Sequence, residues 1–169
     1  WCAEILRSGL DITLVDMTSD IDVPAFACII SGEPGTGVAS GTGCHPIPAR
    51  AALRAIVEAA QSRVTAIAGA RDDIENAWTE SGANERALRR QPQIMSAETA
   101  VLKTGTSLPE LIGFVEAALR AARVDNVASF ELAVDPDFAV VKVLAADLED
   151  RAPNFHWRPR NRALEVLAA

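Results

Sequence analysis

No stretch of the sequence approaches the roughly 20 consecutive apolar residues that a bilayer-spanning helix requires, so no membrane association is expected. Cysteine is scarce: Cys2, Cys28 and Cys44 are odd in number and widely spaced, which argues against a disulfide framework and for a reduced, cytoplasmic setting. Metal-ligand spacing of the zinc type is also lacking, because Cys44-His45 has no second pair nearby and His156 stands alone. The glycine-rich stretch lacks the Gly-Lys-Ser or Gly-Lys-Thr ending that gives a P-loop its lysine and its magnesium-binding hydroxyl. No Gly-x-Ser-x-Gly elbow occurs, and Lys103-Thr104-Gly105 is not accompanied by a Ser-x-x-Lys, so serine-nucleophile chemistry of those kinds is excluded. Basic residues are outnumbered, 16 against 23 acidic, and the resulting net charge of -7 excludes a surface built as a whole to attract nucleic acid or anionic lipid. A local basic pocket stays compatible with that balance.

What is present describes a globular chain. Hydrophobic residues make up 49% and charged residues 23% of 169, enough to bury a continuous core in a single domain spanning residues 1–169. The sequence opens on Trp1 rather than Met, and Ala3, Ile5 and Leu6 precede Gly9 without the basic start and apolar centre of a signal peptide. It is therefore expected to be the carboxy-terminal portion of a longer domain. There is no internal repeat and no linker long enough to divide it.

Residues 2–9 read as the last turns of a helix closed by Gly9. Ile12 to Met17, and Ala25 to Ile30 after Pro24, are branched or apolar runs that read as two adjacent strands of a buried sheet. Five glycines between Gly32 and Gly43 read as a loop. Pro46 and Pro48 open a long helical pattern to about Ala68. At 100° per residue that helix carries Leu53, Ile56, Val57, Ala60, Val64 and Ile67 on one side and Arg50, Arg54, Glu58, Gln61 and Thr65 on another. A polar, helix-prone region with Trp78, Arg86, Arg89 and Arg90 follows. Ser107 and Glu110 are spaced as a capping box for a further helix ending near Arg123. Val127–Val134 and Ala139–Leu144 read as a hairpin turned at Asp135-Pro136-Asp137. This order predicts an α+β, mixed α/β class, with helices packed on a mixed or antiparallel sheet.

The long helix is where chemistry concentrates. Arg54, Glu58 and Gln61 stand at i, i+4 and i+7, within mutual reach on one face. Carboxylate and amide oxygens presented together are hard ligands of the kind magnesium takes, usually in company with phosphate and water. An Arg54–Glu58 surface pair accounts for the same spacing equally well. His45, at the entrance to this helix, is suited to acid–base work or to a local hydrogen bond.

Three stretches carry a resemblance: Gly41-Thr42-Gly43-Cys44-His45-Pro46, then Ala51-Ala52-Leu53-Arg54-Ala55-Ile56-Val57-Glu58-Ala59-Ala60-Gln61-Ser62-Arg63, then Gly69-Ala70-Arg71-Asp72-Asp73-Ile74. Together they resemble the second conserved block of the YcaO family, and Gly9-Leu10-Asp11, Thr18-Ser19-Asp20-Ile21 and Val23-Pro24 resemble its lead-in. The resemblance implies an enzyme that uses ATP and Mg2+ to activate a backbone amide of a peptide or protein substrate. A nucleophile adds to the carbonyl, the amide oxygen is phosphorylated, and loss of phosphate gives the product. An internal Cys, Ser or Thr would give an azoline by cyclodehydration, and a sulfide donor a thioamide, the latter in systems with a TfuA-like partner. By this resemblance Glu58 and Gln61 are ligands of magnesium or nucleotide, Arg63 is a contact to phosphate, and Arg71 a further one; the catalytic residues are not identified. Guanidinium groups suit such anionic oxygens because they donate two parallel hydrogen bonds.

The family's earlier block, Ser-x-x-x-Glu-x-x-Glu, is not found in this sequence, so these residues by themselves are expected to be inactive. The Pro-x-Pro-x-Pro ending of azoline-forming members is absent too, and Asn154-Phe155-His156-Trp157-Arg158-Pro159 followed by Arg162-Ala163 resembles the TfuA-associated branch. The competing expectation is a non-catalytic YcaO-like module that binds a peptide or a partner protein. A homodimer is left open by the sequence.

Overall fold

In a computed structural model, residues 2–32, 37–69, 102, 105–148, 162 and 164–165 are described. The chain divides into two compact units, Trp1–Val115 and Glu116–Ala169.

In the first unit, helix α1 (Cys2–Arg7) is short and runs through Gly9, φ 79°, into strand β1 (Asp11–Asp16). Strand β2 (Ala25–Ser31) pairs antiparallel with β1, from Asp11 opposite Ser31 to Asp16 opposite Phe26. Thr18 holds the turn between them: its Oγ1 accepts the Ala25 N–H at 3.2 Å, while its own N–H donates to Asp16 Oδ1 at 2.9 Å. The expected adjacent pair of strands is therefore present, and β2 is buried along nearly its whole length.

Strand β3 (Val38–Cys44) corrects the expected loop between Ser31 and Gly43. It pairs antiparallel with β2 from Ala25 opposite Cys44 to Ser31 opposite Val38, giving the sheet order β1-β2-β3. Its glycines serve close packing. A Cβ on Gly41 would lie 2.6 Å from the Ala55 carbonyl oxygen and would collide with the Ala59 nitrogen, and one on Gly43 would lie 2.6 Å from the Ala55 nitrogen and collide with the Ala51 carbonyl oxygen. Without side chains at these two positions, helix α2 (Pro48–Ala68) lies directly on the strand.

Helix α2 has the expected bounds. Pro48 stands in the first turn, where the missing N–H costs nothing, and Gly69 takes the left-handed conformation, φ 58°, that ends it. His45 prepares the entrance, since its Nδ1 accepts the Ile47 N–H at 2.9 Å. The core lies between α2 and β2: Ala51, Ala55, Ile56 and Ala59 meet Phe26, Cys28 and Ile30, with Cys2, Ile5, Ile12 and Leu14 packed at the margin. Sealing Ile30, 1% exposed, contributes about 2–3 kcal/mol. Of the apolar side read from the sequence, Ile56 joins the core and Ala60 packs at its margin; Leu53, Val57, Val64 and Ile67 are exposed. The alanine face won because only alanine-sized side chains fit against a glycine-bearing strand.

Helix α3 (Leu108–Ala121) begins at the expected capping box. The Ser107 N–H and hydroxyl both donate to Glu110 Oε2, at 2.8 and 2.6 Å, and the carboxyl is held below its ordinary range by those bonds.

In the second unit, β4 (Val127–Asp135) and β5 (Phe138–Ala145) form the expected antiparallel hairpin, irregular between Glu131 and Ala133. Asp135 Oδ1 accepts the Asp137 N–H at 3.1 Å across the turn. Asp147 braces the open end by accepting from the N–H groups of Asp125 and Asn126 and from the Asn126 amide. The fold is thus α+β with antiparallel sheets. None of the described helices is long and apolar enough to cross a membrane. The expected polar helix with Trp78 and the arginine cluster, and the segment Asn154–Pro159, lie outside the described residues.

Candidate functional site

The site begins with the close contact of α2 and β3. Because Gly41 presses on the backbone of α2, with a Cβ there falling 2.7 Å from the Glu58 carbonyl carbon, the Glu58 side chain leaves the helix beside the next strand residue, Thr42. Thr42 lies on the edge of the three-stranded sheet. Its N–H donates to Glu58 Oε2 at 2.7 Å, and its hydroxyl reaches the same oxygen at 3.3 Å. A backbone N–H given to a carboxylate is not given to β2, which is the outward half of the alternation expected along a strand edge.

Around this pair is an open cleft of about 470 Å³ lined by Thr42, Leu53, Arg54, Val57, Glu58 and Gln61. The structure therefore brings Glu58 and Gln61 together, one helical turn apart on a solvent-facing edge. A second hollow of about 350 Å³ lies alongside, lined by Met17, Phe26 and Cys44 among others, and it shares Thr42 and Arg54 with the first. Arg54 consequently stands between the two. Its spacing to Glu58 allowed an ion pair, but no Arg54–Glu58 pair forms among the described residues, and the carboxylate is bound to Thr42 instead.

Arg63 does not line the cleft. Five residues beyond Glu58, it stands about 140° further round the helix, and its Nη1 is buried without a hydrogen-bond partner among the described residues. A buried guanidinium nitrogen with no acceptor is an expensive arrangement that an anionic oxygen would relieve. Arg71 lies outside the described residues.

The surroundings shift the neighbouring groups. Burial, then the charges of Arg54 and Arg50, hold His45 below its ordinary pKa, consistent with a neutral ring whose Nδ1 accepts a hydrogen bond. Burial raises the Cys44 thiol, with Arg54 opposing it. Cys28 is pushed up to about 11 by burial and by the neighbouring Cys2, so it is an inert core thiol. All three cysteines are free.

Glutamate, glutamine and threonine oxygens in one open cleft are hard donors, and their chemistry fits a magnesium ion that completes its shell with water and phosphate. They are too few to enclose a cation alone: among the described residues no group of three or more His, Cys, Asp or Glu side chains could hold a metal. Thr42 was not singled out from the sequence. The signal available was the Gly-Thr-Gly alternation, which marks a strand whose glycine face lies against another backbone.

Residues 1–149 match the family model described as YcaO cyclodehydratase, ATP- and Mg2+-binding. An uncharacterized protein in the tfuA 3′ region of Rhizobium leguminosarum bv. trifolii is 54% identical over 79 residues, covering 41% of this chain and 18% of that protein. An uncharacterized protein of Methanothermobacter thermautotrophicus is 30% identical over 154 residues, covering 84% of this chain and 40% of the relative. One from Mycobacterium tuberculosis is 39% identical, covering 86% and 35%. The chain thus spans well under half the length of these curated relatives. Among solved structures, YcaO from Methanopyrus kandleri bound with AMPPCP and Mg2+ superposes with a TM-score of 0.56 at 20% identity, over 85% of this chain and 42% of that one. The heterocyclase TruD superposes with a TM-score of 0.58 at 23% identity, over 84% and 20%. These likenesses are of fold.

Proposed function

The chain belongs to the YcaO family, and on that premise we propose that it is the carboxy-terminal part of an ATP- and Mg2+-dependent enzyme that activates backbone amides of a peptide or protein substrate by phosphorylation. The observation that carries this reading is the pair Glu58 and Gln61, side by side in one open cleft with Thr42 and Arg54. Oxygen donors on an exposed helix edge serve a cation that shares its shell with phosphate, whereas an apolar burial of the same side chains would not.

Bound Mg·ATP would supply the phosphoryl group and neutralise its charge. Glu58 and Gln61 would hold the cation and Arg71 would meet a phosphate oxygen. Arg63, off the cleft and about 140° round the helix from Glu58, would meet one only where the nucleotide extends beyond the cleft, and the remaining carboxylates would come from the rest of the protein. Arg54, poised between the two hollows, is placed to face either the nucleotide or the peptide. With a nucleophile added to the carbonyl carbon, the amide oxygen takes the phosphoryl group and departs as phosphate. A sulfide nucleophile then leaves a thioamide, and an internal Cys, Ser or Thr an azoline. The neighbourhood of the rhizobial relative, named for its tfuA 3′ region, favours the thioamide outcome with a TfuA-like partner. A cytoplasmic location accords with free thiols.

The test is ATP turnover by the full-length protein with a peptide substrate. Glu58→Ala should abolish the Mg2+-dependent turnover while the protein stays folded, and undiminished turnover refutes the assignment. A second reading, a non-catalytic module binding a peptide or partner, is favoured by the lack of a three-ligand cluster among the described residues. Calorimetry with Mg2+ and ATP on the full-length protein separates the two, since clear nucleotide affinity removes the second.

A further inference from the structure

Glu58 is exposed, and a free glutamate on a helix surface spreads over many rotamers, which is a poor way to hold a cation. Here it is not free to do so. Its Oε2 takes two donors from one residue, the Thr42 N–H at 2.7 Å and the Thr42 hydroxyl at 3.3 Å. The donors come from a different element, an edge strand 16 positions away in sequence, so the bond fixes the carboxylate relative to the sheet as well as to its own helix. The approach depends on Gly41, whose missing side chain is the space that the backbone of Ala55, Glu58 and Ala59 occupies.

We infer that Thr42 is a positioning residue for the cation site: it anchors Oε2 of Glu58 so that the other carboxylate oxygen is presented to Mg2+. The inference rests on the proposed role of Glu58 and adds to it the residue that aims the ligand. Metal-bound carboxylates are characteristically oriented by donors of this kind, and removing such a donor lowers metal affinity by about 10–100-fold. The expected loss here is about tenfold, at the low end, because the backbone N–H survives any ordinary substitution.

The experiment uses the full-length protein and reads calorimetric binding of a non-hydrolysable ATP analogue with and without Mg2+, alongside the thermal unfolding midpoint without ligand. Thr42→Val keeps the branched shape and removes the hydroxyl; Thr42→Ser returns it; Glu58→Gln tests the ligand itself. Support is a roughly tenfold weaker Mg2+-dependent affinity in Thr42→Val, near-native affinity in Thr42→Ser, and equal Mg2+-free affinity in both. Unchanged affinity in Thr42→Val beside weakened affinity in Glu58→Gln overturns the positioning role and leaves the cation ligand standing. Thr42→Ser as weak as Thr42→Val also overturns it, since the loss would then follow the strand and not the hydroxyl. Native affinity in Glu58→Gln overturns the cation reading as a whole.

Discussion

The N–H of Thr42 and the carboxylate of Glu58 meet at 2.7 Å, joining the edge of the sheet to the solvent-facing side of the helix that covers it. This bond defines one wall of the cleft that Gln61 and Arg54 share. Because the pair is exposed, water replaces either partner when the other is removed, and the net contribution to stability is about 1 kcal/mol. Function and fold should therefore separate. Glu58→Ala in the full-length protein is expected to lose Mg2+-dependent ATP turnover while its denaturation midpoint corresponds to a change of no more than about 1 kcal/mol. Gln61→Ala should weaken the Mg2+ dependence in the same direction. Turnover that survives Glu58→Ala, or a collapse of the fold with it, contradicts the separation.

Gly41 and Gly43 should behave in the opposite way. Each is surrounded by backbone atoms of α2, which cannot rotate aside as a side chain would. Gly41→Ala or Gly43→Ala must lift the helix from β3, and the cost is expected to be about 3 kcal/mol, the upper end for overpacked cores. Urea unfolding of the variants measures it directly. A cost within about 0.5 kcal/mol would mean that the helix lies less tightly on the strand than the contacts require.

Several elements were legible because local rules and tertiary packing agree there. Pro48 and Gly69 bracket α2 at the positions expected of a first-turn proline and a terminal glycine. Ser107 and Glu110 meet as a cap, and the Asp135–Asp137 turn joins two largely apolar runs. Strand β3 was not legible, since glycine density ordinarily signals freedom, and its strand role depends on a helix that comes later in the chain. The buried face of α2 was hidden for the same reason: hydrophobicity ranks Leu53 and Val64 above Ala55 and Ala59, but the gap left by two glycines admits only the alanines. Of the site, Glu58 and Gln61 could be placed on one face by spacing, whereas Thr42, marked only by the Gly-Thr-Gly alternation, is tied to Glu58 by the contact of β3 with α2.

That reversal of faces is open to test in this chain. Val64 and Ile67 are 66% and 67% exposed, whereas Ala59 is fully buried beside Gly41. Val64→Ser and Ile67→Ser should each change its stability by less than about 0.5 kcal/mol. Ala59→Leu, conservative by hydrophobicity, should cost about 1–3 kcal/mol by overpacking. Chemical denaturation of the set of variants ranks them, and a larger loss at Val64 than at Ala59 would place the wrong side of the helix against the sheet.

Asp147 makes the second unit sensitive to acid. Its carboxylate is held below the ordinary value of 3.8, first by the side-chain bond from Asn126, then by the Asn126 N–H, with smaller contributions from the Asp125 N–H and Arg162 and with desolvation opposing. A carboxyl whose pKa is lower folded than unfolded adds stability that is complete above the unfolded pKa and disappears as pH falls through the folded one. The protein with Asp147 should accordingly outperform Asp147→Asn by a constant margin above about pH 5, and the margin should close as acid is added below 3.8. Exposure and salt keep the effect small, so the diagnostic quantity is its dependence on pH and not its size. Amide hydrogen exchange at Asn126 and Val127, followed from pH 6 downward in both proteins after correction for the intrinsic rate, reads the opening of this end of the hairpin. A margin that persists unchanged into acid, or one that widens, would show that the charged form of Asp147 is not what braces β4 and β5.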